Sequence, residues 1–241
     1  MYVTEPNSTA VILPREDDQR FRRLLKLTPS FQLLGRQDRA RVHAEHCVRE
    51  KFQSVYGAEL DSFLPYLLTM HCAGRLTGVA GIKPAASGPL FLEQYLSEPL
   101  ESRIGKLIGT TPDRAAIAEI GNLASASNGG SLAIFIVLAS ALLACGYEHM
   151  VFTATRTLRH RFTRLGFEFQ HLADANLGSL PETSAESWGS YYDNEPQVVL
   201  GNSAQAVALI ESRALFACVG RTLSAEIDRI AAQLLDVRAT L

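Results

Sequence analysis

Apolar and polar positions alternate over short stretches through most of the chain and settle into a helical stripe near its end. In "FLPYLLTMHCAGRLTGVAGIKPA" (63–85) two apolar runs flank "AGR", which predicts an antiparallel hairpin. "GPLFLEQYL" (88–96) alternates strictly, with Leu90, Leu92, Gln94 and Leu96 to one side and Phe91, Glu93 and Tyr95 to the other. That pattern predicts a strand. Residues 116–125 read as a strand. Residues 130–145 are apolar nearly all round, which predicts a helix covered on most sides and stopped by Gly146. Further strands are expected over 149–155, 167–174 and 196–202, and a short basic helix over "RTLRHRFTRLGF", ending at Gly166. Asp38–Tyr56 reads as a charged helix stopped by Gly57, and "SEPLESRIGKLIG" as a short one. Residues 175–195 read as loop. Two helices are expected to close the chain, with Ile227, Ile230, Leu234 and Val237 at helical spacing.

The order strand, helix, strand, helix from 116 to 174 implies a parallel pair joined by a crossover helix, and so an α/β class. The expected division is an irregular arm over 1–35, one domain over 36–202, and a helical extension over 203–241 packed on that domain. In open α/β sheets ligands gather beyond the C-terminal strand ends, where "LASASNGG" (123–130) would lie.

Composition narrows the function classes. With 241 residues, 47% hydrophobic and a formal net charge of −2, the chain has material for a sizeable core and no general attraction for polyanions, so nucleic acid is not the expected partner. Cys47, Cys72, Cys145 and Cys218 are scattered, without metal or disulfide spacing, and read as reduced thiols in a cytoplasmic protein; no metal site is expected. The first residues lack the basic start of a secretory signal. The apolar run Leu132–Cys145 is shorter than the roughly 20 residues a membrane span needs, so no stable transmembrane insertion is expected.

Chemistry concentrates in "AEIGNLASASNGGS" (118–131). Glu119 is a lone carboxylate among Ile117, Ile120 and Leu123, and burial there would raise its pKa toward that of a useful base. "SNGGS" opens a helix, whose free backbone N–H groups and dipole suit a phosphate. Glu93 shares an expected strand face with Phe91 and Tyr95 and is a second acid to weigh. Trp188, Tyr191, Tyr192 and Asp193 of "WGSYYD" form a possible substrate loop.

The element order and "RHRFTRLGFE" (159–168) resemble the GNAT acyltransferase superfamily. "VYGAEL", "LFLEQYL", "AEIGNLAS", "VFTAT…RFTRLG" and "WGSYYD…PQVVLGN" together resemble the thermostable hemolysin family, with a core related to acyl-homoserine-lactone synthases. The resemblance implies a mixed, twisted GNAT-like sheet flanked by helices, with helical N- and C-terminal extensions. It implies Glu119 as the general base, and Glu93, from its place on the expected strand face, stands as the second catalytic candidate. Leu123, Ala124, Ser125, Ser127, Asn128, Gly129, Gly130 and Ser131 would bind the pantetheine and pyrophosphate of a donor, with the N–H of Leu123 or Ala124 on the thioester oxyanion. Asn122, Tyr95, Trp188 and Tyr191 would meet substrate. Two departures stand out: "SASNGG" lacks the leading Gln or Arg of the usual loop, and the tyrosine that often protonates the leaving group falls at Phe162. Both leave room for an acyl-carrier-protein donor in place of acyl-CoA, or for an altered mechanism.

Three readings follow. The first is transfer of a fatty acyl group from acyl-CoA or acyl-carrier protein to an amine or hydroxyl. The second is a membrane-active, lipid-binding hemolysin, using the apolar helix and the C-terminal helix as lipid contacts. The third is a non-catalytic GNAT-like binding module. Expected partners are a small-molecule or lipid substrate, the carrier protein and a second copy of the chain in a homodimer. The expected location is the cytoplasm or a membrane periphery.

Overall fold

The structure, a computed structural model, describes residues 29–126, 128–181 and 186–241; the side chains of Asn128, Gly129 and Glu186 also lie outside it. Residues 1–28 of the irregular arm expected at the N-terminus lie outside these residues.

Seven strands form one mixed, twisted open sheet: β1 (Ser30–Leu34), β2 (Tyr66–Cys72), β3 (Arg75–Pro84), β4 (Ile117–Ser125), β5 (His149–Ala154), β6 (Gln170–Asp174) and β7 (Gln197–Asn202), in the order β1-β2-β3-β4-β5-β7-β6. Only β4 and β5 run parallel; every other neighbouring pair is antiparallel. Helix α1 is Arg41–Tyr56, α2 is Leu100–Ile108, α3 is Asn128–Ala144 and α4 is Arg156–Arg164. Helix α3 makes the crossover from β4 to β5, as the strand–helix–strand order predicts.

Strand β1 falls inside the stretch expected to be an irregular arm, and Ser30–Leu34 pairs in register with β2. It is an edge strand, so its outer backbone groups need partners. Those of Phe31 find them on the last helix: its N–H donates to the Glu226 carboxylate at 2.9 Å, and its carbonyl accepts from Arg229.

A second correction concerns 88–96. No strand forms there. Phe91–Tyr95 is a 3-10 turn, with Leu92 and Tyr95 buried three positions apart. Glu93 reaches back to the Leu90 N–H at 2.7 Å and closes the turn on itself. Alternation over so few residues fits a strand and a tight helical turn equally, and here the side-chain cap decides.

The C-terminal extension holds three helices rather than two: α5 (Ser203–Ser212), α6 (Ala214–Thr222) and α7 (Ser224–Ala239). The chain turns extended at Arg213, which ends α5. Helices α3, α5, α6 and α7 cover one face of the sheet. Phe31, Met70 and Ile82 of the sheet meet Ile136, Leu138, Phe216, Ile230 and Leu234 there in one core. Helix α3 is therefore enclosed by protein, which overturns its expected role as a lipid contact. The predicted stripe of α7 faces this core at Ile230 and Leu234. The other face is covered by α1 over β2–β4, and by the 91–95 turn and α2 over β4–β7. Among the described residues no helix is long and apolar enough to cross a membrane.

Candidate active site

The parallel pairing of β4 and β5 runs from Ile117↔His149 to Ile120↔Phe152 and stops. Beyond it both strands continue, β4 to Ser125 and β5 to Ala154, without pairing, so they splay. The β3–β4 register shifts between Val79↔Ala124 and Gly81↔Gly121. Asn122 takes up the extra residue at a left-handed φ of 49°, a conformation that Asn tolerates better than most. Its Oδ1 accepts from the Leu64 N–H at 2.9 Å and ties the loop before β2 to the bulge. The Ala126 N–H donates to Thr77 O at 3.0 Å. Backbone alternation then aims the N–H groups of Leu123 and Ser125 at the open side of the splay.

A cavity of about 720 Å³ crosses the sheet at this gap. One arm is walled by Ile134, Phe135, Leu138, Phe152, Leu158 and Phe162, an apolar lining from α3, β5 and α4. The other opens under α1, with Phe52, Tyr56, Phe91, Trp188 and Tyr191 on its wall. These rings touch one another: Phe91 lies 5.8 Å from Trp188, Trp188 5.2 Å from Tyr191, and Tyr191 5.2 Å from Tyr56.

Glu119 sits where the arms meet, 4% exposed. Its carboxylate accepts from the Phe91 and Leu92 N–H groups, each at 2.9 Å. Burial dominates and pushes its pKa up to about 7, although the two N–H groups and the Lys83 charge oppose the rise and Glu93 adds to it. The unfolded chain ionises this group near 4.5. A carboxyl raised on folding stabilises fully below the unfolded value, and that stability is lost as the pH rises through the folded one. Between pH 5 and 8, wild type is therefore expected to lose about 2–3 kcal/mol relative to Glu119→Gln, measured by urea unfolding.

The structure gives Glu93 a different place. It is absent from the cavity wall, where the sequence pattern put it beside Phe91. It forms a two-pronged pair with Arg114 at 2.7 and 3.0 Å, and Arg114 also holds Glu101 at 2.6 Å. Partial burial pushes the Glu93 pKa up, but the Arg114 hydrogen bond, the Leu90 N–H and the charges of Arg114 and Lys83 bring it below the usual range. This clamp fixes the turn that presents Phe91 and Leu92 to Glu119. Arg114→Met is expected to lower stability by about 1–3 kcal/mol in urea unfolding.

Of the other sequence candidates, Asn122, Leu123, Ser125, Ser131, Trp188 and Tyr191 line the cavity. Ala124 turns to the α1 side and packs in the core with Val48 and Val79. Tyr95 is buried below the cavity with its hydroxyl 2.5 Å from that of Tyr192, and burial, this bond and neighbouring charges raise its pKa. Gly130 is buried in the first turn of α3. Ser127 and the side chains of Asn128 and Gly129 lie outside the described residues. The sequence reading missed Lys83 and the Phe52 ring as cavity-wall residues, while Arg161, one of the basic residues of the 156–164 helix that could meet phosphate or an acidic carrier protein, also lines the cavity. Lys83 carried one usable signal, a charge that follows the apolar run Val79–Ile82 in its strand.

Comparison with known proteins identifies the fold. The chain resembles the acyl-homoserine-lactone synthase LasI at 17% identity over 73% of this chain and 90% of that one, with a TM-score of 0.51. It resembles FeeM, an N-acyl amino acid synthase from uncultured soil microbes, at 14% identity over 78% and 97%, with a TM-score of 0.53. TofI in an apo form gives 12% identity over 74% and 94%, with a TM-score of 0.50. These likenesses establish the GNAT-like fold expected from the element order. No curated protein matches the chain. The thermostable hemolysin family profile matches residues 34–207, and the chain belongs to that family.

Proposed function

We propose that this protein transfers a fatty acyl group from a thioester to an amine or hydroxyl acceptor, with Glu119 as general base. The observation that carries this reading is the buried Glu119 carboxyl, with its pKa raised to about 7, on the wall of a cavity that crosses the sheet where β4 and β5 part. A base with a pKa near the working pH is half ionised there and still binds a proton strongly, which is the condition for efficient proton transfer.

The donor would enter from the α3 side. The first turn of α3 offers backbone N–H groups and the positive end of the helix dipole to the phosphates of acyl-CoA or of a carrier-protein arm. Ser125 and Ser131 line the path from that turn to the splay. The Leu123 N–H faces the gap and would hold the oxyanion as the carbonyl becomes tetrahedral. The arm walled by Phe135, Phe152 and Phe162 suits the acyl chain. The acceptor would approach under α1, an amine first shedding its ammonium proton to solvent, and then lose a proton to Glu119 as it attacks the thioester carbon. The C–S bond then breaks and the sulfur leaves as thiolate. The proton held by Glu119 returns to it, so acyl amide or ester and free thiol form in equal amounts. Phe162 contributes ring surface to this scheme and no proton.

The first test is binding. Dodecanoyl-CoA or dodecanoyl-carrier protein at about 100 times its Kd is expected to raise Tm by about 5–10 °C. No shift with either, together with leakage from phospholipid vesicles at low protein concentration, would favour a lytic protein instead.

A further inference from the structure

We propose that the acceptor is an amine carrying its own anionic group, a carboxylate or phosphate, a few bonds from the nucleophilic nitrogen, and that Lys83 selects it. This rests on the acyl-transfer reading and names its acceptor class.

Lys83 and Glu119 face each other directly across the β3–β4 ladder, so their Cβ atoms lie about 5 Å apart on one face of the sheet. Both side chains line the cavity. They nevertheless form no ion pair, because the Glu119 carboxylate turns to the Phe91 and Leu92 N–H groups instead. Lys83 donates once, to Pro89 O at 2.5 Å, and an ammonium has three N–H groups, so two remain for a ligand. Arg36 and Lys51 also line the cavity, and no described carboxylate lies within ion-pair distance of either one or of Lys83. Glu119 is the one acid among the described lining residues.

This charge balance sorts acceptors. A simple amine arrives as a cation and meets Lys83 beside Glu119, with Arg36 and Lys51 also on the cavity wall. An amine with its own carboxylate or phosphate arrives without net positive charge and places the anion on Lys83. Its nitrogen then lies one strand over, beside Glu119. The cation on the opposite face, Arg161 of α4, belongs to the donor side. One residue therefore removes the proton while its cross-strand neighbour fixes the rest of the acceptor, an arrangement that discriminates by pairing one substrate charge and leaving a competitor's unpaired.

The test uses equilibrium binding of two acyl amides that differ only in the anion. N-dodecanoylglycine is expected to bind wild type about tenfold tighter than N-dodecanoylethanolamine, and that preference is expected to shrink as salt is raised. Lys83→Met should abolish the preference, and Lys83→Arg should restore much of it. Equal binding of the two amides to wild type, or a preference untouched in Lys83→Met, overturns the proposal while leaving acyl transfer standing. If Lys83 serves the donor's phosphates instead, Lys83→Met will weaken dodecanoyl-CoA relative to dodecanoyl-pantetheine and spare the amide pair, which also overturns it. Binding of neither amide and neither thioester to folded wild-type protein removes this proposal and the transfer reading together.

Discussion

Glu119→Gln is expected to lower the rate of acyl transfer about 100- to 10,000-fold while leaving donor binding in place, because it removes a proton acceptor from the transition state and nothing from the donor path. Gln matches the carboxylate in size, and its carbonyl can keep one of the two backbone N–H bonds that now reach Glu119 from Phe91 and Leu92. The wild-type rate should rise about tenfold per pH unit on the acid side and level off above about 7, where the buried carboxyl is ionised. The variant should lack that inflection. Thiol release read at several pH values checks both statements. A variant within a few-fold of wild type, or a wild-type profile flat from pH 5 to 8, would remove Glu119 from the chemistry.

The second large effect is expected at Gly189. It lies between Trp188 and the Ser190–Tyr191 segment, with φ at +49°, where L side chains are strained. A Cβ there would stand 2.1 Å from Tyr56 O and 2.9 Å from the Gly57 carbonyl carbon, both backbone atoms that cannot step aside. The docking of this loop on the end of α1 depends on the Ser190 N–H bond to Tyr56 O at 2.8 Å and the Glu59 N–H bond to Ser187 O at 2.6 Å. Gly189→Ala should break both and undock the aromatic wall. Loss of several kcal/mol of stability or a detached loop is expected. The chain has a single tryptophan, Trp188, so its fluorescence should shift to the red as the loop leaves, and acyl transfer should fall with it. A variant with wild-type emission and Tm would contradict the described packing of this loop.

The parts of the fold that could be read from the chain are those whose pattern has one physical solution. A run such as 132–142, apolar nearly all round, is too long for a buried strand and must be enclosed, and α3 is enclosed. Glu119 among apolar neighbours had to be buried, and it is. Other features depend on distant partners. The alternation over 88–96 fits two structures, and the choice falls to the Glu93 cap and to Glu119, which takes the turn's N–H groups from 27 and 28 positions away. The same distance explains why Glu93 looked like an acid of equal standing. Its apolar neighbours resemble those of Glu119, but Arg114 occupies its carboxylate from 21 positions away. Strand β1 is five residues whose outer groups are satisfied 195 and 198 positions along the chain. The splay of β4 from β5 leaves no mark in composition at all, since it is set by where pairing stops.

One measurement bears most directly on the central claim that this cavity moves an acyl group. Wild-type protein is incubated with dodecanoyl-CoA or dodecanoyl-carrier protein and a mixture of glycine, ethanolamine and glycerol, and products are followed by mass spectrometry beside a thiol assay. An acylated acceptor and free thiol are expected in equal amounts, both lost in Glu119→Gln. Donor that binds but stays intact with every acceptor, or thiol released without any acylated acceptor, would contradict it.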